Sequence, residues 1–215
     1  MVTQTIACAL GTLLVCGAPL QAQETSPWAL GVDLLHSGTG SRPGQVFQGA
    51  TRGVGESAVA LRAATTLARL GPVRLQYVAQ VLPLVRVTGV ESATALQGRL
   101  QQIFVLGDAA PAYGIGAVPL GLDLATQLGT RVRVSSGAGV GIATFSRNVP
   151  VAASRQRVFT AEWGARLEID VAAGRALTMG YRWKHPSNGM TASENPGFDS
   201  RLFTVGIQRT VRVPR

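Results

Sequence analysis

From Phe159 to Val171 the chain alternates without a break. Phe159, Ala161, Trp163, Ala165, Leu167, Ile169 and Val171 are apolar, and the even positions between them, Thr160, Glu162, Gly164, Arg166, Glu168 and Asp170, are polar, charged or small. A period of two is the mark of a strand with two unlike faces. The same rhythm continues in Leu177, Met179, Tyr181 and Trp183, set against Thr178, Gly180, Arg182 and Lys184. It returns in Phe203, Val205, Ile207 and Val211, with Arg209 interrupting the apolar face. Earlier runs are less regular but legible: Trp28 to Leu34, Val73 to Val81, Leu120 to Leu124 and Val132 to Ile142. Ala58 to Leu70 suits a helix as well as a strand, because of its alanine and leucine content.

Together these runs predict about eight strands, over 27–36, 57–70, 73–87, 112–125, 130–146, 158–172, 175–187 and 199–213. The predicted connections alternate in length. Those at Gly71-Pro72, Gly129 and Gly174 are short, and those around 37–56, 88–111, 147–157 and 188–198 are long. This predicts an all-β fold, an eight-stranded antiparallel up-and-down transmembrane β-barrel of the bacterial outer membrane. Glu162, Arg166, Glu168, Asp170, Arg182 and Lys184 would then point into a narrow lumen and have to pair with one another. A soluble up-and-down barrel shows the same alternation with its apolar face inward. The rhythm of loop lengths favours the membrane form.

Residues 1–22 carry no charge and hold an apolar run from Ile6 to Val15, with Ala22 as a small residue before a cleavage point. We read 1–22 as a secretory signal peptide and 23–215 as one barrel domain. Cys8 and Cys16 both fall in the leader, so the mature chain has no disulfide framework and no cysteine metal cluster. Cys16 as a lipoprotein anchor is disfavoured by Val15, where a small residue is expected.

The net charge is +9, and Lys184 is the only lysine among the 20 basic residues. Arginine-rich basicity points to nucleic acid or to a phosphorylated membrane surface, and export selects the second. Arg147 and Arg155 are the loop arginines expected to meet lipid phosphates. The glycine-rich stretch Gly49 to Gly55 resembles a dinucleotide loop, but Ser41 to Gln48 before it is no buried strand. Lys184 lies in no glycine-rich loop, so a Walker A motif is excluded.

Candidate chemistry concentrates in His185-Pro186-Ser187-Asn188-Gly189, continuing through Asn195-Pro196-Gly197-Phe198-Asp199. A histidine two residues from a serine on one strand shares its face, with Cα atoms about 6.5–7 Å apart. That spacing lets an imidazole reach a hydroxyl, as a base and its nucleophile require. An amide such as Asn188 is a candidate to stabilise an oxyanion, and Asp199 on the next strand a candidate to orient the histidine. His185 and Ser187 continue the apolar odd series of their strand, and Asp199 heads the odd series of the next. All three are therefore predicted at the rim of the lipid-facing side, where polar residues are costly and usually functional. The plainer alternative is the start of a polar loop in which parity lapses. His36 has no assigned role.

The pattern His-x-Ser-Asn, then Asn-x-Gly, then an acid fourteen positions after the histidine resembles the active-site segment of PagL-type lipid A 3-O-deacylases. The resemblance is close from Tyr181 to about Gln208. It implies an outer-membrane serine esterase with His185 as base, Ser187 as nucleophile and Asn188 as oxyanion residue. Asp199 stands where the family has glutamate as third triad member. It further implies lipid A (lipopolysaccharide) as substrate, no metal and no other cofactor, no nucleic-acid partner, and either a monomer or a homodimer. The rivals are a small outer-membrane barrel without enzymatic activity and a soluble periplasmic lipid-binding barrel.

Overall fold

The computed structural model describes residues 27–37, 54–89, 93–95, 103–105, 110–150, 154–191 and 197–211. Residues 1–22, the predicted leader, and most of the long connections lie outside them. Among these residues there are ten strands: β1 (Trp28–His36), β2 (Gly55–Leu70), β3 (Val73–Thr88), β4 (Ala93–Ala95), β5 (Ile103–Val105), β6 (Ala112–Leu128), β7 (Val132–Val149), β8 (Arg155–Ala172), β9 (Arg175–Ser187) and β10 (Ser200–Val211). Eight of them close into an antiparallel barrel in the order β1-β10-β9-β8-β7-β6-β3-β2. The short β4 and β5 pair only with each other, in a hairpin that the sequence pattern did not predict.

Turns at Gly71, 129–131 and Gly174 lie at one end of the barrel, and the long connections lie at the other. In outer-membrane barrels the long-loop end is the extracellular one. The Ala58–Leu70 segment is strand, because its backbone pairs with β1 on one side and β3 on the other. Closure supplies those partners, and they outweigh the helix propensity of its alanines.

The apolar face is the outer one. Phe159, Trp163, Leu177, Met179, Phe203 and Val205 are all exposed, whereas Glu162, Arg166, Glu168, Thr178 and Lys184 are buried inside. Two prolines adjust this alternation. β3 carries one extra residue beside Pro83 relative to both neighbours, and β6 one beside Pro119. Such bulges tolerate a residue without an N–H. After Pro83 the parity of β3 flips, so that Val85 and Val87 point inward and Leu84 and Arg86 outward.

The lumen holds paired charges rather than a channel. Arg166 binds Asp33 through both Nη atoms, Arg62 binds Asp123 at 3.0 Å, Arg182 binds Glu162 at 2.9 Å and Arg133 binds Glu168. Lys184 binds Glu56, whose other oxygen accepts a 2.7 Å hydrogen bond from Ser200. Above this polar belt, at the loop end, Leu35, Val85, Val87, Phe145, Val158, Phe198 and Leu202 fill the lumen with an apolar plug. Anything that reaches the loop-end residues of β9 therefore does so from outside the barrel.

Candidate active site

β9 delivers His185 and Ser187 to the outer face, in line with Leu177, Met179 and Tyr181, while Lys184 and Pro186 between them are buried. On β8 the cross-strand partner of His185 is Ala161, and that of Ser187 is Phe159. Pro186 sits one residue from the end of the strand, where a missing ladder donor is tolerated.

His185 is held on three sides. Its Nδ1 lies 2.7 Å from Asp199 Oδ1, with side-chain exposures of 18% and 6%. Aspartate, one methylene shorter than glutamate, reaches the ring from just before β10. A neutral imidazole that donates its Nδ1–H to this carboxylate has Nε2 as its acceptor, the atom a general base uses. Trp183, two residues earlier on the same face, stacks on the ring at 5.9 Å between centroids and 13° between planes.

Gly197 closes the third side. A Cβ there would stand 2.8 Å from His185 Cε1 and 3.0 Å from Nε2, and its φ of +54° is one that side chains rarely adopt. The amide of Phe198 donates to Pro186 O at 3.1 Å, pinning the chain that carries Gly197 and Asp199 against β9. Neither Trp183 nor Gly197 was a predicted site residue. The signal for Trp183 was its parity with His185.

Ser187 shares the face of His185, about 6.6 Å along the strand between Cα atoms. No side-chain hydrogen bond joins the two among the described residues. In hydrolases without substrate that contact is often loose and tightens only in the complex. Asn188 follows on the opposite face. Its even parity turns the side chain inward; it is 1% exposed, and its Nδ2 donates to Ser154 Oγ at 3.3 Å. Its carbonyl accepts from Thr191 N and Thr191 Oγ1, at 3.3 and 2.7 Å. In this position Asn188 holds the turn that follows Ser187. That turn has positive φ at Gly189 and Met190. Asn195 lies outside the described residues.

The two arginines expected in loops, Arg147 and Arg155, lie at the ends of β7 and β8. Arg147 donates to Ala110 O at 2.9 Å, and Arg155 to Thr191 O at 3.1 and 2.8 Å. Both guanidiniums tie loop backbone together. His36, at the loop end of β1, meets Ser57 Oγ at 2.9 Å on the outer face. Among the described residues no group of three His, Cys, Asp or Glu side chains is arranged to hold a metal ion.

Comparison with known proteins agrees with this geometry. Residues 83–208, more than half of the chain, match the family model described as lipid A 3-O-deacylase (PagL). No curated protein matches the chain. Among solved structures, the outer-membrane enzyme PagL superposes with a TM-score of 0.52 at 16% identity, covering 85% of this chain and 99% of its own. Neisserial surface protein A gives 0.51 at 14% identity, covering 87% and 99%. OprG from Pseudomonas aeruginosa gives 0.51 at 11%, covering 90% and 100%. At these identities the three likenesses establish the eight-stranded outer-membrane barrel and nothing finer. The family model supplies the rest: this protein of the bacterial outer membrane belongs to the lipid A 3-O-deacylase (PagL) family.

Proposed function

We propose that the chain is a serine esterase that removes an ester-linked acyl chain from lipid A, at the 3-O position named in the family's description. The observation that carries this reading is the 2.7 Å contact between His185 and Asp199 on the outward, lipid-facing side of β9, with Ser187 on the same face. An ester buried among acyl chains is reached from that side and not through the plugged lumen.

Ser187 Oγ attacks the acyl carbonyl carbon while His185 Nε2 takes its proton. The C–O bond to the sugar then breaks, and His185 returns the proton to the departing sugar oxygen. Water repeats the sequence on the acyl-serine and releases a fatty acid. Asp199 keeps the proton on Nδ1 and stabilises the imidazolium. Backbone amides in the turn through Gly189 and Met190 that follows Ser187 are the proposed donors for the oxyanion. Asn188 contributes by fixing that turn. The reaction needs no metal or organic cofactor.

The test is lipid A mass spectrometry on outer membranes carrying the wild-type protein or Ser187→Ala, both shown to be folded. The wild type should remove the mass of one acyl chain and the variant should not. Identical profiles would favour a barrel without enzymatic activity.

A further inference from the structure

All the described carboxylates except Asp199 lie on the lumen side. Asp33, Glu56, Glu162 and Glu168 are buried there, Asp123 binds Arg62, and Asp170 is paired across the sheet with buried Ala176. Asp199 is held by His185. Among the described residues the outer face therefore carries positive charge with Asp199, bonded to His185, as its one acid. At the loop end this charge is Arg86 on β3, Arg157 on β8 and Arg201 on β10, each exposed and outward like its neighbours Leu84, Phe159 and Phe203. Among the described residues none of the three makes an ion pair or a side-chain hydrogen bond, unlike Arg147 and Arg155.

Two of these arginines flank the candidate site. Arg157 is the next outward residue beyond Phe159, the cross-strand partner of Ser187. Arg201 is the cross-strand partner of Trp183, which stacks on His185. Two strand spacings and six residue rises separate their Cα atoms, about 22 Å, which two extended side chains shorten from both sides. Arg86 is on the opposite side of the ring, four strands from β9 in either direction.

We propose that Arg157 and Arg201 form a two-point site for the phosphate groups of the glycolipid substrate, fixing which of its esters meets Ser187. This rests on the esterase reading for the identity of the lipid. Lipid A carries a phosphate at each end of its disaccharide, and guanidinium forks bind phosphate bidentately at headgroup depth. Phosphatidylglycerol carries a single phosphate and cannot engage both arginines at once.

The experiment uses the Ser187→Ala barrel, so that turnover does not deplete the ligand. Its probes are bisphosphoryl lipid A, monophosphoryl lipid A and phosphatidylglycerol, each titrated in detergent and followed by native mass spectrometry. Arg157→Gln and Arg201→Gln should each weaken bisphosphoryl lipid A by about fivefold, and Arg86→Gln should leave it within about twofold. Monophosphoryl lipid A should respond strongly to only one of the two flanking variants. Equal effects from all three arginines would overturn the proposal, as would the same losses with phosphatidylglycerol, because both outcomes mean general attraction of anions. The expected binding pattern without deacylation by the wild-type barrel would uphold the phosphate site and sink the esterase reading instead.

Discussion

Asp199 reaches the imidazole of His185 at 2.7 Å although it is one methylene shorter than the glutamate of the family pattern. The approach of the chain makes up the difference. Phe198 bonds back to Pro186, which draws residue 199 towards β9 before β10 begins. Asp199→Asn keeps the shape and removes the charge that fixes the tautomer. Its kcat for deacylation should fall by roughly a thousandfold to ten-thousandfold, by analogy with the same change in serine-protease triads. KM should be little changed, and initial rates on purified lipid A would show whether the loss lies in kcat.

Gly197 sets the position of the His185 ring from the other side. Gly197→Ala puts a methyl group where the His185 edge now lies and forces a left-handed residue to carry a side chain. The local strain is about 1–2 kcal/mol. Displacing the ring by an ångström should cost about a hundredfold in rate. Rate and urea midpoint measured on one preparation would separate the two effects, and an unchanged rate would remove Gly197 from the site.

Trp183 supports His185 through the face of its indole. Aromatic pairing of this kind is worth about 0.5–1.5 kcal/mol. Trp183→Ala should therefore lower kcat/KM by about two- to twelvefold, and Trp183→Phe should recover most of the loss. No recovery with phenylalanine would mean that the indole acts by something other than stacking.

The Lys184–Glu56 pair lies inside the wall behind His185, with Ser200 as its third member. Lys184→Met leaves a buried carboxylate unpaired, and unfolding by urea in lipid vesicles should register a loss of about 3–5 kcal/mol. The double change Glu56→Leu/Lys184→Met should cost much less than the sum of its singles. Additive losses would show that the two side chains act independently.

The barrel was legible because lipid outside and charge inside impose opposite demands on alternate residues of β8, β9 and β10. β2 was ambiguous because its alanines mark neither face, and only pairing with β1 and β3 decides it. The parity change in β3 follows from an extra residue at Pro83, which alternation alone does not locate. At the site, the shared face of His185 and Ser187 could be read from spacing. So could the inward turn of Asn188, had its even number been weighed against its chemistry. The reach of Asp199 and the packing of Gly197 depend on how the connection between β9 and β10 folds back, and no local pattern encodes that. The backbone carbonyls that Arg147 and Arg155 meet were not legible for a related reason, because charge at a strand end does not show which chain will fold beside it.

The lumen charges also bear on how the barrel is assembled. Asp33 on β1 finds Arg166 on β8, Glu56 on β2 finds Lys184 on β9, and Arg62 on β2 finds Asp123 on β6. None of these three partners sits on a neighbouring strand, so these charges, unlike Arg133–Glu168 and Arg182–Glu162, cannot be neutralised within one hairpin. A half-built sheet in lipid would leave ions exposed at a cost of several kcal/mol each. Neutralising these three pairs therefore couples insertion of β1 and β2 to their meeting with strands from the other side of the ring.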